Sequence, residues 1–368
     1  MTDPRRTRLA LAALVALAGL TSPGLSGCGA SPSASGPGGP TGPTGPTGPA
    51  EPITAPAETW TWVPFPDAQC ADGSATGIGV NLTSRSSDLV VYFEGGGACW
   101  DDQTCFTYDL AVHVTGGYGP AEFAAEAPGA AAPFDRGATA NPLKDASFVF
   151  VPYCTGDLNA GAATRTYGTH LVHHAGAANV AAYLRRLAVT FPGARRVYVT
   201  GSSAGGFAAQ INYPRFAAAF PSAELHALAD SAQAVQPLLG LYPIWLAAWN
   251  PVIPAGCSGC AGDLTALPAW LADTYPDGRF ALLAYEQDGT LAAYFGLYTA
   301  ADYKAATLGL FASAYDGRAN AHYFALDGTS HTMLGSLPTL ATSPGGTTLQ
   351  AWVGQWYAGD AGWASLKP

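Results

Sequence analysis

Gly201-Ser202-Ser203-Ala204-Gly205-Gly206 follows the β-like run Arg196-Val197-Tyr198-Val199-Thr200 and precedes the helical stretch Phe207-Ala208-Ala209-Gln210-Ile211. Gly-x-Ser-x-Gly between a strand and a helix is the setting of a nucleophile elbow, a sharp turn that lifts the serine Oγ clear of the sheet. Gly201, Ala204 and Gly205 suit such a turn, because the backbone there approaches its neighbours closely. Ser203 is therefore the candidate nucleophile. It needs a base, and the chain offers one in the expected order. Asp288 follows the run Arg279 to Tyr285, and His331 follows His322 to Leu326 through Asp327-Gly328-Thr329-Ser330. In that arrangement His331 takes the proton from Ser203 Oγ, while Asp288 orients the imidazole and stabilises the imidazolium. Glu286, two residues from Asp288, and Asp230, ending Leu228-Ala229-Asp230, compete for the place of the acid. His173 and His174, expected to open a helix ahead of the nucleophile, are weaker bases by position. So are His113, His170, His226 and His322, which lie early in the chain or inside strands.

A second constellation is Glu94-Gly95-Gly96-Gly97-Ala98, straight after the run Leu89 to Phe93. Attack on an ester carbonyl puts negative charge on its oxygen, and amides in a glycine turn can face that charge unobstructed. Gly96, Gly97 and Ala204 are the expected oxyanion donors, a flexible turn being the alternative. Trp100 either walls an acyl or sugar pocket or packs against the loop between Cys99 and Cys105. Asp157 either orients substrate or a neighbouring loop, or makes an ordinary hydrogen-bonded turn.

These residues need strands beneath them. Short apolar or aromatic runs occur at Leu89 to Phe93, Ser147 to Val151, Arg196 to Thr200, Leu225 to Ala229, Arg279 to Tyr285 and His322 to Leu326. Helical patterns alternate with several of them, the clearest being Ala175 to Phe191. That alternation predicts an α/β fold with a mostly parallel sheet and helices on both faces. Functional residues of such sheets sit past the carboxyl ends of strands, where Ser203, Asp288 and His331 all fall. Trp245, Trp249 and Trp270, with Tyr242 and many prolines, predict an irregular cap over Leu238 to Trp270.

The ends and composition bound the rest. Arg5, Arg6 and Arg8 precede an apolar run, Leu9 to Leu20, too short to span a bilayer as a mature helix. Leu25-Ser26-Gly27-Cys28 resembles a bacterial lipobox, which implies a signal peptide over 1–27 and lipidation of Cys28. Residues 28–58 are rich in Gly, Pro, Ser and Thr and read as an extended linker; 59–368 read as one catalytic domain. Loss of the leader, with three arginines against Asp3, makes the whole-chain net charge of −10 more negative still. Such a chain is a poor partner for nucleic acid. With Cys28 lipidated, six cysteines remain, an even number suited to an oxidising compartment. Proximity pairs Cys99 with Cys105 and Cys257 with Cys260, leaving Cys70 with Cys154. No second CxxC completes a zinc site around Cys257 and Cys260, so neither metal nor cofactor is expected.

Taken together, Tyr92 to Trp100 with Cys105, Val151-Pro152-Tyr153-Cys154-Thr155-Gly156-Asp157, His174-Ala175-Gly176 with Asn179, Gly201 to Gly206, Ala229-Asp230-Ser231, and Asp288 with His331 resemble the pectin acetylesterase and Notum family of serine carboxylesterases. The resemblance implies an α/β-hydrolase-like fold, a triad of Ser203, Asp288 and His331, and oxyanion donors at Gly96, Gly97 and Ala204. It also implies a Cys99–Cys105 disulfide and a place for Asp230 beside the nucleophile rather than in the triad. Ala98 stands where plant members usually carry Trp, which leaves substrate choice open. The expected function is hydrolysis of acetyl or other short acyl esters, such as those of an acetylated polysaccharide, by an exported envelope lipoprotein held to a membrane by its lipid. The alternatives are a Notum-like or lipase-like deacylase of longer chains, and a catalytically silent glycan-binding lipoprotein.

Overall fold

The structure is a computed structural model, and it describes residues 50–130, 132–337, 342, 343 and 345–368. The expected signal peptide, the lipidation at Cys28 and most of the linker lie outside the described residues. Eight strands form one sheet: β1 (Thr61–Gln69), β2 (Ala75–Asn81), β3 (Asp88–Phe93), β4 (Ser147–Val151), β7 (Arg196–Ser202), β8 (Glu224–Asp230), β9 (Arg279–Tyr285) and β10 (Ala321–Leu326). β5 (Ala163–Tyr167) and β6 (His170–His174) make a separate hairpin. The order in the sheet is β1-β2-β4-β3-β7-β8-β9-β10, antiparallel at β1/β2 and β2/β4 and parallel elsewhere. This is the α/β-hydrolase-like architecture expected.

Both faces of the sheet are covered, which is why its inner strands read as continuous apolar runs. Side chains alternate between two cores: Leu89, Val91, Phe93, Val197 and Val199 enter one, while Val90, Phe148, Tyr198, Leu228, Leu283 and Phe324 enter the other. The helices are α1 (Pro120–Glu126), α2 (Gly176–Thr190), α3 (Ala204–Ala219), α4 (Leu241–Trp249), α5 (Ala266–Thr274), α6 (Gly289–Tyr294), α7 (Ala300–Ala314) and α8 (Leu349–Ala358). Val180 and Leu187 of α2, Phe207 and Phe216 of α3, and Leu310 and Phe311 of α7 serve the first core. Trp352 and Trp356 of α8 serve the second. Among the described residues no helix is long and apolar enough to cross a membrane.

All six expected strands are present, and four others are added. β1 carries Pro64 and Pro66, which its place at the sheet edge tolerates. β2 carries Gly77 and Gly79, which its neighbours rather than its own propensity hold extended. His173 and His174 do not open a helix: they close β6, and α2 begins at Gly176. The stretch expected to be an irregular cap is partly regular, with α4 and α5 flanking a loop pinned by Cys257–Cys260. Cys70–Cys154 and Cys99–Cys105 are the other two disulfides.

From β3 the chain steps to β4 on one side and returns to β7 on the other. The carboxyl ends of β3 and β7 therefore flank a topological switch point, where such sheets open a crevice.

Candidate active site

β3 and β7 pair in register from Asp88 opposite Arg196 to Phe93 opposite Gly201, so the glycine turn and the serine turn leave the sheet side by side. A Cβ on Gly95 would lie 2.5 Å from the Ser202 carbonyl oxygen and 3.1 Å from Ser203 Cβ. A Cβ on Gly205 would run into the Phe93 and Glu94 carbonyls. Both positions are closed to larger residues, which is the physical content of the glycine pattern. Ser203 has φ 57° and ψ −123°, a conformation rarely held by residues with a side chain. The bonds around it hold it there: Ser203 N–H donates to the Asp230 carbonyl (2.7 Å), and its own carbonyl accepts from Gly206 N–H (2.9 Å) and Phe207 N–H (3.2 Å). Ser203 thus stands half-buried at the head of α3.

Parallel pairing of β8, β9 and β10 carries the next two loops to the same edge. Asp288 is fully buried, and its Oδ1 accepts from Thr290 N–H and Leu291 N–H at 3.0 Å each, capping α6. Its Oδ2 lies 2.8 Å from Nδ1 of the partly exposed His331. With Nδ1–H donated to the carboxylate, Nε2 is the nitrogen free to accept a proton. The two competing acids are engaged elsewhere. Glu286 pairs with Lys304 Nζ at 2.7 Å. The Asp230 carboxylate accepts from Ser202 Oγ (2.7 Å), Met333 N–H (2.8 Å) and Leu334 N–H (2.9 Å).

The glycine turn is braced from behind. The Gly96 carbonyl accepts from Val112 N–H (2.9 Å), Gly97 bridges to Ala111, and Cys99 N–H donates to the Gly156 carbonyl (3.0 Å). Ala204 opens α3, so its N–H has no acceptor within the helix and sits at the positive end of the helix dipole. These features suit Gly96, Gly97 and Ala204 to an oxyanion.

Trp100 is buried, its ring 5.6 Å from that of Trp245. Asp157 is fully buried as well, accepting from Thr155 Oγ1 (2.6 Å) and from Gly176 N–H at the start of α2 (2.9 Å). Burial pushes its carboxyl up to about 6 against the pull of those bonds. Both residues face an apolar region: Asp157, Phe207, Trp245, Trp249 and Phe295 line a cavity of about 50 Å³ beneath α4, and Trp100 packs on one of its walls. By that measure the space holds a few waters or a short apolar group.

Glu94, His113 and Glu126 bring ligand atoms within 4.8 Å of one another, the one such group among the described residues. Burial and the nearby Glu126 charge push Glu94 well above the usual carboxylate range, whereas hydrogen bonds from His113 and Tyr118 overcome desolvation and hold Glu126 below it.

Two contributors were not legible beforehand. The resemblance places Asp230 beside the nucleophile but gives no sign of its bonds to Met333 and Leu334 of the histidine loop, and the link from Lys304 to both Glu286 and Asp327 has no local signal, since α7 is separate in sequence from the loops it joins.

The family model for pectinacetylesterase matches residues 61–235. These residues therefore carry a pectinacetylesterase-family domain, and they include the glycine turn, the serine turn and Asp230-Ser231. Asp288 and His331 lie beyond the matched span. No match was found among curated proteins.

Proposed function

We propose that this chain is a serine carboxylesterase that removes acetyl or other short acyl groups through an acyl-enzyme on Ser203. The observation that carries the reading is the contact of His331 Nδ1 with buried Asp288 Oδ2, at the same sheet edge as the strained Ser203. In this reading His331 Nε2 takes the Ser203 proton as Oγ attacks the ester carbonyl. The amides of Gly96, Gly97 and Ala204 donate hydrogen bonds to the carbonyl oxygen as negative charge develops on it. As the C–O bond breaks, His331 returns the proton to the departing alcohol. Water then attacks the acyl carbonyl and gives a proton to His331, which passes it to Ser203 Oγ as the acyl C–Oγ bond breaks, releasing the carboxylic acid and free Ser203. The pectinacetylesterase match supports ester hydrolysis as the reaction.

Export as an envelope lipoprotein, tethered through Cys28 and the Gly/Pro-rich linker, is part of the same proposal. Three disulfides support an oxidising compartment.

Hydrolysis of p-nitrophenyl acetate by purified protein tests the reading. It is expected to vanish in Ser203→Ala, and equal rates in both proteins would sink it. A series from acetyl to octanoyl esters separates the short-acyl reading from a long-chain deacylase, which would prefer octanoyl.

A further inference from the structure

Asp230 closes β8 and Ser231 follows it; neither belongs to a step of the mechanism above, yet both are fully buried, and together they touch the serine turn and the histidine loop. Toward the serine, the Asp230 carbonyl accepts from Ser203 N–H, and its carboxylate accepts from Ser202 Oγ. Toward the histidine, three consecutive backbone amides are captured. Thr332 N–H donates to Ser231 Oγ (2.8 Å), and Met333 N–H and Leu334 N–H donate to the two oxygens of Asp230 (2.8 and 2.9 Å). Ser231 N–H donates to the Leu283 carbonyl of β9 (2.8 Å), so the clamp is itself fixed to the sheet.

His331 precedes those amides directly. On its other side, the Gly328 and Thr329 carbonyls accept from Gln287 N–H (3.1 Å) and Gly289 N–H (3.0 Å) of the Asp288 loop. The histidine is thus held between two grips, one from the end of β9 and one from the end of β8. Only the second also grips the serine turn. Three non-glycine residues at this junction have positive φ: Ser203 (57°), Ser231 (48°) and Thr332 (63°). Such conformations persist where surrounding bonds over-determine them, and this network does so.

The residue type matters. Three donors converge on the side chain at 230, and an ionised carboxylate has acceptor sites for all of them. Asparagine keeps the volume but turns an NH₂ toward an N–H or a hydroxyl, leaving at least one buried donor facing another donor. We propose that Asp230 is a positioning residue that sets His331 against Ser203 by tying the histidine loop and the serine turn to the end of β8. The proposal deepens the esterase reading and rests on it.

Asp230→Asn tests it, alone and combined with His331→Ala, by steady-state hydrolysis of p-nitrophenyl acetate with thermal unfolding as the check on folding. A misplaced base predicts kcat about 100-fold lower with KM within about 2-fold of the unaltered protein. Because the effect passes through His331, adding Asp230→Asn to His331→Ala should change the residual rate by less than about 2-fold. An unchanged kcat, or a full further loss in the His331→Ala background, would overturn the proposal. Should Asp230→Asn not fold, Ser231→Ala asks the same of Thr332 N–H alone. There kcat about 5-fold lower supports the clamp, and an unchanged kcat overturns it. The two possible failures stay apart: hydrolysis indifferent to Ser203→Ala defeats the esterase reading, whereas hydrolysis lost in Ser203→Ala but untouched by Asp230→Asn defeats only the positioning role.

Discussion

The rim around Ser203 and the cap formed by α4, the Cys257–Cys260 loop and α5 are held together by different forces. At the rim, Asp230 and Asp288 are fully buried, and each has its carboxylate oxygens engaged by backbone amides and one side chain. In the cap, rings meet rings: Trp245 packs on Trp100, Trp249 and Phe295 with centroids 5.6, 5.7 and 5.6 Å away. Trp249 Nε1–H reaches the Cys99 carbonyl (2.7 Å), but Trp245 Nε1 is buried with no hydrogen-bond partner among the described residues. Hydrogen bonds to fixed amides set atoms to within tenths of an ångström, as a proton relay needs. Ring packing fills space at little directional cost, so a cap of this kind can change its lining while the rim keeps its geometry.

That contrast yields tests of descending size. The largest is at the rim, where Asp288→Asn removes the partner that fixes the His331 tautomer. kcat for p-nitrophenyl acetate should fall by about 10⁴-fold with the fold intact. A fall of less than about 10-fold would mean that the Asp288–His331 contact is not what orients the base.

The disulfides compare the two regions directly. Cys70–Cys154 closes a loop across a sequence separation of 84 and ties the β1–β2 turn to the loop after β4. Cys257–Cys260 spans a separation of only 3 within the cap. Chain entropy then assigns about 4–5 kcal/mol of stability to the first and about 1–2 kcal/mol to the second. Urea unfolding of the paired Cys→Ser variants should show that ranking, and a larger loss from the cap pair would reverse it.

The smallest effect lies in the sheet beneath the rim. His226 of β8 is buried, and desolvation, reinforced by Arg279, pushes its imidazole down to about 4. Below its ordinary pKa near 6.5 the unfolded chain takes a proton that the folded protein refuses, so this residue's contribution to stability is lost as pH falls toward 4. Between pH 7 and pH 4.5 the unaltered protein should lose about 2 kcal/mol more stability than His226→Gln, measured by denaturant unfolding at both values. Equal losses would show that His226 is not held neutral.

Much of the rim was legible because its constraints are local. The Gly201–Gly206 pattern encodes close approach, and Gly205 indeed abuts the Phe93 and Glu94 carbonyls. Strands β3, β4, β7, β8, β9 and β10 announced themselves as apolar runs because both of their faces are buried. β1 and β2 did not, since Pro64, Pro66, Gly77 and Gly79 oppose strand propensity and only pairing within the sheet overrides it. The hairpin of β5 and β6 was hidden because exposed and half-buried residues alternate in β5 with no apolar run, and His173-His174 of β6 adjoins the helical pattern of α2. The cap read as irregular because its helices are short and rich in tryptophan and proline, and α4 is held by packing of Trp245 on Trp100 and Phe295 rather than by propensity.

By itself the sequence determined the chemistry on offer: a serine on a strand-to-helix turn, a glycine turn after an earlier strand, and an acid and a histidine past later strands in a workable order. These depend on residue type and on spacing over a few positions, which a linear chain records. Choosing among Asp288, Glu286 and Asp230 as the partner of His331 was left to the tertiary structure, because all three stand at or just past strand ends and are alike in type. What separates them is the direction of each carboxylate: toward an imidazole at 288, a lysine at 286, and two backbone amides and a hydroxyl at 230. Those directions follow from the register of β8, β9 and β10 and from loops meeting across more than a hundred residues at Asp230 and Leu334, a separation no local pattern can encode.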